Sequence, residues 1–114
     1  MLIVKIGKTE EIVEKFFARE IPIHEWTHEA HLRVALWHLL RFNPEESLNK
    51  LRNEIKDFNG SIGVSNTATS GYHETITYFY VSMITHFLSQ QNNTRPIDEL
   101  AETMLAAIGG KDTF

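Results

Sequence analysis

Residues 26–42 read WTHEAHLRVALWHLLRF, and this stretch decides the fold. At about 100° per residue, His28, His31, Ala35, His38 and Phe42, spaced by three and four, fall on one line of a helix. Leu32, Val34, Ala35, Leu36, Leu39 and Leu40 widen the apolar side beyond the roughly 100° stripe of a surface helix, which predicts a central helix. Arg33 and Arg41 are expected on its solvent side. Thr27 is expected to cap its N-terminus by accepting a hydrogen bond from a free amide, which puts His28 and Glu29 in the first turn. Asn43 precedes Pro44 and is pushed out of the helical region, ending the element.

Working outward, residues 9–19 predict a helix capped by Thr9. Glu10 and Glu11 lie at its positive end, and Ile12, Val13, Phe16 and Phe17 form an apolar face. Beyond the central helix, Asn43-Pro44-Glu45-Glu46 starts another: an N-cap, a proline at the first position and a glutamate at the third. Leu48, Leu51, Ile55 and Phe58 recur at helical spacing up to Asn59-Gly60. The opposite face, Glu46, Asn49, Lys50, Arg52, Asn53, Glu54, Lys56 and Asp57, is expected to be solvated, and the short connection predicts an antiparallel neighbour.

Residues 59–71, NGSIGVSNTATSG, predict a flexible loop or lid. A second long apolar helix follows over residues 72–90, with His73, Thr77, Tyr80, Ile84 and Phe87 on one line. Arg95-Pro96 opens a last helix through Asp98, Leu100, Met104, Leu105 and Ile108, stopped by Gly109-Gly110. Residues 2–6 read as a short strand or an extended lead-in. The expectation is an all-α, irregular bundle of about five helices in one domain over residues 1–114, with room for a short N-terminal strand.

The 114 residues suit one domain, and 42% hydrophobic with 23% charged residues is ordinary for a globular chain. A formal net charge of −4, with 11 basic residues in no dense cluster, argues against nucleic-acid binding, which needs cations to displace phosphate counterions. The chain has no cysteine, so any metal must rely on imidazole, carboxylate or water, and a reducing cytoplasm is the expected location. The apolar start is too short for a signal-peptide core. Residues 76–88 reach about 20 Å as a helix against about 30 Å of bilayer core, so a buried helix is expected and no membrane partner.

His24-Glu25-Trp26-Thr27-His28 fits H-E-x-x-H, the zinc-protease pattern of two helical histidines flanking a catalytic glutamate. A cap at Thr27 would break the helix that must align His24 with His28, and no third histidine follows at the extended spacing. His28 and His31, an i, i+3 pair in a first turn, can instead hold one ion from one side. His73 and Glu74 lie in another first turn. Were the two helix ends to meet, His28, His31 and His73 would be metal ligands and Glu74 a fourth ligand or general base, with Tyr72 and Thr75 contacting a ligand. Antiparallel packing within one chain would instead separate the ends by about 20 Å. His38 reads as a satisfied core or boundary histidine.

The pair of motifs aromatic-Thr-His-x-x-His-Leu, here residues 26–32, and Tyr-His-Glu-Thr-Ile-Thr, here residues 72–77, resembles a family of small uncharacterised bacterial proteins. The resemblance spans about residues 26–88. It implies that His28, His31, His73, Glu74 and Thr75 are the family's marked positions, leaves His24 outside them, and carries no activity with it.

The leading expectation is therefore a His/Glu pocket for a divalent metal (zinc, nickel or iron) or a small anionic ligand, with metal-assisted hydrolysis as its chemistry if catalytic. The rival is a non-enzymatic interaction module, a homodimer among its forms, in which the histidines are structural.

Overall fold

The computed structural model describes residues 7–61, 74–92 and 94–108. Among these are five α-helices and a single 3-10 turn, with no strand: α1 (Lys8–Ala18), the turn Ile23–Glu25, α2 (His28–Arg41), α3 (Pro44–Ser61), α4 (Glu74–Ser89) and α5 (Ile97–Ile108). The all-α bundle expected from periodicity is what forms. The expected strand at 2–6, most of the loop or lid at 59–71, and the Gly109-Gly110 stop lie outside the described residues.

α2 packs against each of the other four helices, as its wide apolar surface requires. Its buried Ala30, Leu32, Val34, Ala35 and Leu36 meet Val13 and Phe16 of α1, Leu51, Ile55 and Phe58 of α3, Val81 and Ile84 of α4, and Leu100 and Met104 of α5 in one core. Thr27 caps α2 as its sequence suggests, its hydroxyl accepting from Ala30 N at 3.2 Å. Asn43 caps α3 likewise: Oδ1 accepts from Glu46 N at 2.8 Å, and its amide donates to the Glu46 carboxylate at 2.9 Å. Pro96 offers its carbonyl to Leu100 N at the head of α5.

Four local expectations are corrected. Thr9 does not cap α1: the helix starts at Lys8 after Gly7, and Thr9 is buried inside it. The free Thr9 amide donates instead to Asp98 Oδ1 of α5 at 2.9 Å, so a carboxylate from another helix does the capping. A Cβ on Gly7 would meet that Asp98 carboxylate, which would have to shift away from it.

Arg33 is not on the solvent side; it is 1% exposed. It donates to Thr9 Oγ1 at 2.7 Å and to Glu29 at 3.3 Å, pairs with Glu102, and lies 3.5 Å from Asp98. Because α2 is enclosed by other helices, its polar side is covered too, and Asp98 and Glu102, one turn apart on α5, supply the charge that makes burial of a guanidinium tolerable.

α3 runs through Asn59 and Gly60 to Ser61, since Phe58 and Asn59 are both buried and hold the last turn. Its solvated face also has an exception: Glu54 reaches His38 Nε2 at 2.7 Å. His38 is fully buried, its Nδ1 2.8 Å from the Val34 carbonyl, which is the satisfied core histidine expected.

Candidate functional site

A cavity of about 220 Å³ lies between α2, α3 and α4. α2 contributes His28, His31, Leu32 and Ala35 to its wall, one face of the helix at spacings of three and four. α3 contributes Leu51 and Ile55, and α4 contributes Ile76, Thr77, Tyr80 and Val81. The lining is thus aliphatic, with two imidazoles, a phenol and a hydroxyl as its polar groups.

The first turn of α2 fixes the imidazoles. His31 Nδ1 lies 2.7 Å from the carbonyl oxygen of Thr27, which can only accept, so the ring proton sits on Nδ1 and the neutral ring offers a lone pair at Nε2. Trp26 stacks on the same ring, centroids 3.8 Å apart and planes 29° from parallel, and Phe16 and Phe58 back the indole at 5.1 and 4.8 Å. Burial holds the His31 pKa below the usual histidine value; the Thr27 carbonyl opposes this shift and nearby His28 adds to it. The neutral ring is therefore the favoured form.

His28 meets α4. Its Nε2 is 3.3 Å from the Tyr80 hydroxyl, and the rings make an edge contact at 5.1 Å. Burial raises the Tyr80 pKa above its ordinary value, keeping the phenol protonated.

Of the site residues read from sequence, His28 and His31 thus share one cavity. Tyr72 and His73 lie outside the described residues. Thr75 is exposed. Glu74, the expected base, opens α4 but does not line the cavity; it forms a two-pronged pair with Arg52 of α3, Nε to Oε1 at 2.7 Å and Nη2 to Oε2 at 2.8 Å. His28 meets Tyr80, six residues into α4 from Glu74, and the first turn of α4 reaches the same cavity through Ile76 and Thr77. Among the described residues no group of three or more His, Asp or Glu side chains is placed to hold a metal.

Two positions were underestimated from sequence. Tyr80 shares the helical line of Thr77, and a phenol on such a line reads as packing until its partner is known. Arg33 sits beside an apolar seam, and the carboxylates that bury it come from a helix more than 60 residues away in sequence.

The H-E-x-x-H match is broken as its cap implies: His24 and Glu25 lie in the 3-10 turn, Thr27 is extended, and His28 opens α2. Comparison with models of known families, with curated proteins and with solved structures finds no match.

Proposed function

We propose that this chain binds a small ligand in the cavity between α2, α3 and α4, with His28, His31 and Tyr80 anchoring its polar end. The observation that carries this reading is the convergence of three polar ring edges and the Thr77 hydroxyl on a cavity whose other described walls are aliphatic, the composition by which small-molecule sites combine affinity with orientation. In a metal-bound form the His31 Nε2 lone pair and a His28 nitrogen would be ligands, with His73 a candidate third. The carbonyl that holds His31 Nδ1 is the usual outer partner of a ligating imidazole. Zinc, nickel and iron(II) all suit such donors. Hydrolytic chemistry has less support, because the Glu74 carboxylate is engaged with Arg52.

The test is calorimetric titration of untagged protein with zinc, nickel, iron(II) and a set of small organic fragments, repeated on His28→Ala and His31→Ala. Binding in the wild type that is lost in both variants, with each variant destabilised by no more than about 1 kcal/mol, supports a ligand site. Destabilisation of about 3 kcal/mol or more by each change, with no binding by the wild type, makes the histidines structural.

A second reading, the self-associating helical module, is favoured by Tyr78 and Phe79, which are 60% and 37% exposed on α4. Concentration-dependent sedimentation, abolished by Tyr78→Ser with Phe79→Ser, would support it. A monomer at all concentrations would remove it.

A further inference from the structure

On the reading that the cavity is a ligand site, we propose that the ligand it takes is a neutral molecule with an aliphatic or aromatic body and one hydroxyl or N–H donor, of the kind found in alcohols, phenols and azoles, the donor being received by His31 Nε2.

Three observations converge on this class. First, the tautomer of His31 is set by geometry: Nδ1 faces the Thr27 carbonyl at 2.7 Å, which leaves Nε2 as the ring's hydrogen-bond acceptor in the neutral state. Trp26 stacked at 3.8 Å holds the ring in that orientation. Second, among the described residues no lysine, arginine, aspartate or glutamate lines the cavity. An anion drawn in would leave water without a fixed cation to replace its hydration, and burying an unpaired charge is costly. Placing protons on both His28 and His31, three residues apart on one helix, would set like charges side by side. Third, apart from Thr77, the rest of the described wall is aliphatic, from Leu32 and Ala35 to Leu51, Ile55, Ile76 and Val81, a surface that rewards an apolar body. The burial that favours a neutral His31 and a protonated Tyr80 acts in the same direction.

A hydrogen bond made in such a cavity is expected to change affinity about tenfold, which is about 1.4 kcal/mol.

The experiment compares phenol, cyclohexanol, toluene, benzoate, inorganic phosphate and zinc as probes of the full chain, by calorimetry and by nitrogen NMR of the imidazoles. Phenol and cyclohexanol are expected to bind and to shift His31 Nε2, with toluene about tenfold weaker than phenol. His31→Phe, which keeps a ring against Trp26 but removes the acceptor, is expected to abolish the preference of phenol over toluene. Benzoate, phosphate or zinc binding ahead of the neutral donors, with perturbed His28 and His31 resonances, would overturn the ligand class and leave the site standing. If none of the probes perturbs His28, His31 or Tyr80, the site reading fails together with the class. The wild-type comparison of phenol with toluene decides the matter even if the phenylalanine variant does not fold.

Discussion

Arg33 shows how far a single side chain can depart from the helical wheel. Its guanidinium joins α1 through Thr9, α2 through Glu29 and α5 through Asp98 and Glu102. Removing it leaves Thr9 without its donor and several carboxylates without their shared counter-charge. Arg33→Ala is expected to cost about 3 kcal/mol, read as a lower urea midpoint in an equilibrium melt, because stripping one partner from a buried ionic cluster costs far more than the cluster contributes net. Arg33→Met, similar in reach but apolar, is expected to lose as much, since Asp98 and Glu102 would still face each other; a loss under about 0.5 kcal/mol in either variant would show that the cluster does not hold the helices together. His38 makes a parallel case: fully buried and bonded to Val34 O and Glu54, it is expected to cost about 2–4 kcal/mol when replaced by alanine, through lost packing and an orphaned carboxylate.

At this scale the sequence was informative about His28, His31 and His38, whose spacing alone places them on one face, and about the Thr27 cap. It put Arg33 on the solvent side, where the structure buries it, and read Tyr80 only as packing on its helical line. Periodicity tells which side of a helix a residue occupies. It does not tell whether another helix closes over that side, nor which charge that helix brings.

At the level of elements, the ends of the helices carry much of the site. Thr27 both caps α2 and, through its carbonyl, accepts from His31 N and Nδ1. Thr27→Ala keeps the carbonyl and loses the cap, so a cost of about 1 kcal/mol in stability is expected. Faster amide exchange confined to the first turn of α2 would check that the cap is what was lost. At the other end of α1, Arg19 takes the left-handed conformation, φ 61°, while Glu20 N reaches back to Lys15 O at 2.8 Å and Arg19 N to Phe16 O at 3.2 Å. Glycine adopts this conformation without the roughly 1–2 kcal/mol that a Cβ costs there. Arg19→Gly is therefore expected to raise stability by about 0.5–1 kcal/mol even though the guanidinium gives up its contacts with the Phe16 and Phe17 carbonyls, and a differential melting experiment decides the sign.

Most of the elements could be read in advance because caps and apolar spacing are local. α2, α3 and α5 begin where Thr27, Asn43 and Pro96 place them. Thr9 misled because threonine suits both an N-cap and a buried position in the first turn of a helix, and only the approach of Asp98 decides between them. Which residue of α4 meets His28 was equally out of reach, since relative height along a helix pair depends on interlocking side chains and not on the period of either sequence.

For the molecule as a whole, acid is expected to act in two stages with one sign. His31 has a lowered pKa in the folded state, so below the ordinary histidine value of 6.5 the unfolded chain takes up a proton that the folded one resists, and stability falls with pH until the folded His31 titrates. Glu29 and Asp98 also have lowered values. For Glu29 the hydrogen bond from Lys8 is the main cause, opposed by burial and helped by Arg33; for Asp98 burial pushes upward, but bonds from Thr9 and the charge of Arg33 outweigh it. Their contribution is intact above their ordinary values of 4.5 and 3.8 and is lost as pH falls through the folded ones. Urea melts across the acid range should show both declines. His31→Asn should remove the upper one and leave the lower, and a profile unchanged by that substitution would mean that His31 titrates as an exposed histidine does.

The contact between Gly7, Thr9 and Asp98 has a consequence for biosynthesis. The amide of Thr9 and the carboxylate that receives it are 89 residues apart, so the first turn of α1 leaves the ribosome long before its partner has been made. Chains interrupted ahead of Asp98 should therefore expose that turn to proteases, and nicking near Lys8 should cease once translation passes the final helix. α1, made before the other described helices, is thus among the last to be secured.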